Sequence, residues 1–154
     1  MFPDAETVYD YCYVKKGSGG WENWTRLIVK KEFAASVSIR EMIIPNANTV
    51  QQNFFLNTLV KNHQAPVLFV GPTGTGKSAV TNAWLLEISK ITEGIGYIPL
   101  IINYSARTTA KQTQDSIMAK LDRRRKGIYG PPVGKRAVVF VDDLNKPEVE
   151  FYGA

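Results

Sequence analysis

The sequence predicts an α/β fold, a parallel sheet with flanking helices, and three observations carry that expectation. Val67-Leu68-Phe69-Val70 is a short apolar run bounded by Pro66 and Gly71, and Ala137-Val138-Val139-Phe140-Val141 is a second run ending on Asp142-Asp143. Continuous apolar runs of this length suit strands buried on both faces. Between them, Val80, Ala83, Trp84, Leu85, Leu86 and Ile88 recur at helical spacing from Lys77 to about Lys90. Strands alternating with helices argue for a parallel sheet.

The other elements follow in chain order. Up to about Ser38 the chain reads as irregular with short strands, because Trp21, Trp24, Leu27 and Ile28 hold neither period for long. Gly17-Ser18-Gly19-Gly20 reads as a turn. Pro45 ends the run Met42-Ile43-Ile44, and Asn48 or Thr49 then caps a helix through Asn62, with Val50, Phe54, Leu56 (or Phe55) and Leu59 on its buried side. A further strand is expected over Ile98 to Tyr104. Thr108 or Thr109 caps the next helix, to Leu121, and a basic Gly/Pro-rich loop leads into the last strand.

Composition sets outer bounds. With 154 residues and 44% hydrophobic content the chain can build one core or a large part of one. Cys12 is its only cysteine, which excludes an intrachain disulfide and a Cys-based zinc site and suits a structural thiol in a reducing compartment. No stretch approaches the 18 or so apolar residues of a membrane span, and the amino terminus lacks a signal pattern, so a soluble intracellular protein is expected. Much of the net charge of +5 comes from two clusters, Arg123 to Lys126 and Lys135-Arg136. Trp84 reads as core, and His63 sits in a turn without a partner at metal-ligand spacing.

The chemistry is concentrated in Gly71-Pro72-Thr73-Gly74-Thr75-Gly76-Lys77-Ser78, which matches the phosphate-loop pattern at every fixed position. Gly74 and Gly76 lack a Cβ, so the backbone can wrap a phosphate with its N–H groups turned inward, at the positive end of the following helix. Lys77 would reach the β and γ phosphates of ATP, and Ser78 would turn its hydroxyl to Mg²⁺. A glycine-rich turn can also merely join strand to helix. Background composition, however, yields all fixed positions in roughly one chain of this length in a hundred or fewer.

Asp142 ends an apolar strand, where a phosphate-loop fold anchors its metal; alone it would read as a turn residue. Asp143 occupies the position where many such ATPases carry a glutamate that orients the attacking water. Its side chain is one methylene shorter, a displacement that can cost about a hundredfold in rate. Binding is therefore expected more firmly than turnover, and a solvated turn carboxylate is an equal reading of Asp143. The cluster Arg123-Arg124-Arg125-Lys126 with Tyr129 offers a single ring, which favours a solvated or protein-facing loop over a nucleic-acid platform.

Three stretches together carry a family resemblance: Pro66 through Ser78, Arg123-Arg124-Arg125-Lys126-Gly127-Ile128-Tyr129-Gly130-Pro131-Pro132, and Phe140-Val141-Asp142-Asp143-Leu144-Asn145. The chain resembles the axonemal dynein heavy chains in the third AAA+ module of the motor ring, over essentially its whole length and least before Trp21. The Gly-Pro-Pro loop and the Asp-Asp-Leu-Asn run, continuing to Tyr152-Gly153-Ala154, are more specific than the phosphate loop.

The resemblance implies a P-loop NTPase fold incomplete at its C-terminal side, with residues 1–38 a connecting segment and 39–154 a partial AAA+ domain from Walker A to Walker B. It implies a regulatory ATP or ADP site, with Mg²⁺, inside a minus-end-directed microtubule motor that bends cilia and flagella. Ile44 and Pro45, with Asn48-Thr49-Val50 after them, would border the adenine; Asp142 and Asp143 would complete the metal and water side. Implied partners are neighbouring AAA+ modules, dynein intermediate and light chains, and microtubules, in the cytoplasm, cytoskeleton and axoneme, with neither membrane nor nucleic acid. Lys146 departs from the pattern, in which an apolar residue precedes the proline.

A complete AAA+ module resembles a five-stranded sheet of order 5-1-4-3-2. The run 67–70 would be strand 1, and the sequence in hand holds neither of its neighbours. Also missing are the strand-four asparagine, the lid and the arginine finger, the last worth roughly 10³ to 10⁵ in rate. An incomplete fold with negligible ATPase is expected. Two other readings stay open: a nucleic-acid-associated P-loop ATPase, and a nucleotide-binding regulatory module without turnover.

Overall fold

The computed structural model describes residues 7–15, 17–30, 42–91 and 94–149. Residues 31–38 of the expected connecting segment and the closing Tyr152-Gly153-Ala154 lie outside the described residues. The chain divides into two compact units, Met1–Trp84 and Leu85–Ala154.

In the first unit, β1 (Tyr11–Val14) pairs antiparallel with β2 (Gly20–Asn23), Val14 standing opposite Gly20. The glycine turn between them is where the sequence puts it, with Gly17 and Gly19 at φ 59° and 69°. Tyr13 and Trp21 meet edge to face across the pair, centroids 5.5 Å apart. A 3₁₀ turn, Trp24–Leu27, follows, capped by the Asn23 side chain, which accepts from the Thr25 N–H. It buries Trp24, whose indole N–H donates to the Tyr9 carbonyl at 2.9 Å. Cys12 is buried, and desolvation, then the Glu22 charge, pushes its thiol up from the ordinary range, as befits a structural cysteine.

Helix α1 (Ala47–Phe55) is capped by Asn46, two residues before Asn48 and three before Thr49, the expected caps. The Asn46 side chain accepts from the Thr49 N–H at 2.9 Å while Thr49 Oγ1 accepts from the Asn46 N–H at 2.8 Å, a reciprocal capping box. Its continuation, Leu56–Asn62, is wound as a π-helix. Leu56 is buried at its start, whereas Phe54 and Phe55, the last residues of α1, keep an exposed edge and spend the rest of their rings on Trp24.

The largest correction concerns residues 67–70, which form no strand. Leu68 is 69% and Val70 85% exposed, while Val67 and Phe69 are half-buried. The segment is extended and alternating, as a strand would be, but its backbone has no ladder to join. Among the described residues no strand pairs with it, and an isolated strand has no backbone partner to hold it. Hydrogen–deuterium exchange read by mass spectrometry should therefore find amides 67–70 open, with those of the parallel pair described next slower by about a hundredfold or more. Equal protection of both would contradict this account.

Helix α2 (Lys77–Ser89) begins where the phosphate loop ends. Val80, Thr81, Trp84, Leu85 and Ile88 are buried along it, and the Trp84 indole N–H donates to Asn57 Oδ1 at 3.0 Å, so its reading as core stands.

The second unit is built on a parallel pair. β3 (Gly96–Asn103) runs beside β6 (Lys135–Asp142) over all eight residues of each, from Gly96 opposite Lys135 to Asn103 opposite Asp142. Pro99 has no N–H to donate and suits a strand paired on one side. The crossover carries α3 (Ala110–Met118), which packs on β3 and is capped by Thr109 in a capping box with Gln112. It ends three residues short of expectation, in turns that close on Leu121.

A second correction follows: the basic loop is a hairpin, β4 (Asp122–Arg125) against β5 (Ile128–Gly130). Gly127, at φ 78°, makes its two-residue turn possible. Among the described residues no helix is long and apolar enough to cross a membrane.

Candidate nucleotide-binding site

Residues 71–76 form an exposed arch between the extended segment and α2, whose first residues, Lys77 and Ser78, are half-buried. Gly74 and Gly76 sit at φ 80° and 81°, where a side chain is strained, and a Cβ built on either would meet nothing within 4 Å. Both glycines are thus required by backbone conformation and face open space, as a loop that cradles an anion must. The Val80 N–H donates to the Gly76 carbonyl at 2.9 Å and starts the helix, and Thr75 Oγ1 donates to the Pro72 carbonyl at 3.0 Å and braces the arch.

Lys77 is folded back over this arch. Its ammonium donates to the carbonyls of Gly71 at 2.9 Å and Pro72 at 2.5 Å and to Thr75 Oγ1 at 3.2 Å. All three donors of the ammonium are therefore held by the loop it adjoins. Ser78 follows as the second residue of α2. Ahead of α1 in the same unit lie Ile44, exposed, and Pro45, half-buried.

In the second unit Asp142 closes β6 at the carboxyl end of the parallel pair, the end at which open α/β sheets bind ligands. The Tyr104 N–H donates to the Asp142 carbonyl at 3.1 Å and extends the ladder to this residue. Asp143 adopts φ 56°, a left-handed conformation that aspartate tolerates better than most residues. Its N–H donates to Asp142 Oδ1 at 3.0 Å. Its own carboxylate receives Lys146 Nζ at 2.6 Å, and the Lys146 N–H donates to the Asp143 carbonyl at 3.0 Å, closing a turn. The hydrogen bond and charge of Asp143, with a smaller contribution from Asp142, hold the Lys146 ammonium above its ordinary range.

Sequence reasoning missed this bridge. Lys146 registered only as a departure from an apolar position, and the three-residue spacing to Asp143 was the signal available. Among the described residues no cluster of three or more His, Cys, Asp or Glu could hold a metal by itself.

An open glycine arch with its lysine, running into a helix, defines a P-loop nucleotide-binding protein, and the second unit separately carries an aspartate at the carboxyl end of a parallel strand. Comparison with known proteins narrows the class. The family described as the P-loop containing dynein motor region matches residues 31–154. The chain is 56% identical to dynein axonemal heavy chain 3 of Homo sapiens over its full length, and 43% identical to dynein axonemal heavy chain 12 of Rattus norvegicus over 99% of it. It is 38% identical to dynein axonemal heavy chain 1 of Mus musculus, again over 99%. It spans only 4 to 5% of the length of these relatives. This chain belongs to the dynein motor-region family and is an ATP-binding AAA+ module of that kind.

Proposed function

We propose that the chain is the third AAA+ module of an axonemal dynein heavy chain, residues 1–38 connecting and 39–154 carrying the nucleotide site, and that it acts as a regulatory ATP/ADP site. The observation that carries the nucleotide-binding part of this reading is the glycine arch closed by its own lysine, and the likeness to axonemal dynein heavy chains supports the rest. Residues 73–76 offer backbone N–H groups to the phosphates, Pro72 having none, and Lys77 exchanges its loop carbonyls for β and γ oxygens. Ile44 and Pro45 border the adenine. Ser78 and Asp142 are the proposed Mg²⁺ ligands, the ion neutralising phosphate charge when bound.

Asp143 is the candidate for orienting the attacking water, and its bridge to Lys146 favours holding nucleotide over cleaving it. A carboxylate already committed to an ammonium is a poorer base until that contact opens. Through the parent chain the module would serve a minus-end-directed microtubule motor of cilia and flagella, beside other AAA+ modules and with intermediate and light chains as partners.

Isothermal calorimetry with MgATP and MgADP tests the reading. Saturable binding of both, with phosphate release no faster than the buffer blank, is the expected result. An absence of binding by folded protein would overturn it, and steady turnover would overturn its regulatory part.

A further inference from the structure

The β4–β5 hairpin does not enter the nucleotide reading, and its charge is out of proportion to its size. Residues 120–136 hold seven basic side chains and one acidic, a net +6, whereas the whole chain is +5. The other 137 residues are therefore at −1; within the stretch, residues 122–130 of the hairpin itself hold Arg123, Arg124, Arg125 and Lys126 against Asp122, a net +3, and Lys135 and Arg136 open β6 beside it. Residues 122–129 are all exposed.

The hairpin is nonetheless built, not loose. Arg124 donates to the Pro131 carbonyl at 2.5 Å and fastens the base of the hairpin to the Pro-Pro segment, so one arginine is used internally. The neighbouring two are paired across the ladder with apolar residues: Arg123 stands opposite Tyr129 and Arg125 opposite Ile128. Tyr129 is 37% and Ile128 47% exposed. Adjacent like charges on a strand repel, so the hairpin carries an unfavourable term that an opposite charge would relieve.

We infer that this hairpin is a docking surface for an acidic protein segment that also brings an apolar side chain. Charge complementarity fixes the sign of the partner. Arginine beside tyrosine and isoleucine is the composition of a protein-interface centre. Single-stranded nucleic acid is the weaker fit, because stacking sites present several rings along a groove and this element has one. The inference stands apart from the nucleotide site and does not depend on it.

The test titrates the intact chain, by fluorescence anisotropy, with a 15-residue peptide of glutamates interleaved with leucine and tryptophan, with polyglutamate of equal charge, and with a 15-nucleotide single-stranded DNA. The interleaved peptide should bind best. Arg123→Glu with Arg125→Glu should weaken both peptides at least about tenfold, as reversal of two exposed ion pairs allows. Arg123→Gln with Arg125→Gln should weaken them less, and it guards against misfolding of the reversed variant. Ile128→Ser with Tyr129→Ser should erase the interleaved peptide's advantage and leave polyglutamate unchanged. Equal binding of the two peptides by the parent, tighter binding of the oligonucleotide, or no effect of the arginine changes in either form would overturn the proposal.

Discussion

Replacing Lys77 with alanine is expected to weaken MgATP binding by about a hundredfold while leaving the fold intact. The ammonium makes its contacts on the surface of the arch, to the Gly71 and Pro72 carbonyls and Thr75 Oγ1, and those carbonyls remain open to water when it is removed. Stability should consequently change little, since exposed substitutions of this kind usually fall within about 0.5 kcal/mol. The loss appears on binding. A hydrogen bond to a charged group contributes about 1.5–3 kcal/mol, and two such bonds to phosphate oxygens more than cover a factor of a hundred. Arginine at the same position should not rescue, because its planar fork cannot turn back into an arch shaped around a compact ammonium. Calorimetry of the alanine variant with unchanged affinity would mean that nucleotide, if bound, is held elsewhere.

The same arch shows how far residues alone carry the argument. Gly74, Gly76 and Lys77 were legible because conformation and chemistry at those positions are dictated locally: a left-handed backbone needs glycine, and a phosphate needs amides and an ammonium. The parallel pair was legible for a related reason, since Ile98 to Asn103 and Ala137 to Asp142 contain their own apolar runs and sit side by side.

Residues 67–70 show the opposite case. An apolar run reports that a segment wants burial on both faces, but whether it obtains neighbours depends on strands it does not encode. The β4–β5 hairpin was hidden because Asp122-Arg123-Arg124-Arg125 has neither alternation nor β-branched residues, and only its ladder and the turn at Gly127 make it a strand pair. The π-wound second half of the first long helix was equally invisible, as apolar positions at Leu56 and Leu59 fit either winding. The Asp143–Lys146 bridge lay beyond a motif reading, which assigns Asp143 a role in chemistry and gives Lys146 none.

The second large effect is expected at Trp24, a residue the sequence marked only as apolar in an irregular stretch. Trp24 is 5% exposed and sits at the join between the amino-terminal hairpin and α1. The Phe54 ring meets it at 5.2 Å and 67°, and Phe55 lies at 6.5 Å. Tryptophan buries up to about 250 Å², and truncating it to alanine typically costs about 3–5 kcal/mol once the cavity is included. Against the 5–15 kcal/mol of an ordinary domain that is a large share, and in a unit whose segment 67–70 is unpaired it should be enough to unfold much of the population at 37 °C. Trp24→Phe separates the contributions: the ring contacts survive, but the Tyr9 carbonyl loses its 2.9 Å donor and keeps only the longer 3.4 Å approach of Gln51 Nε2. A cost of about 1 kcal/mol is expected for that variant. Because α1 follows directly on Ile44 and Pro45, Trp24→Ala should also weaken adenine nucleotide binding, whereas Trp24→Phe should not. Urea unfolding of the three proteins, followed by far-ultraviolet circular dichroism, decides the matter. A midpoint for Trp24→Ala equal to that of the parent would show that the aromatic cluster does not hold the hairpin to the helix.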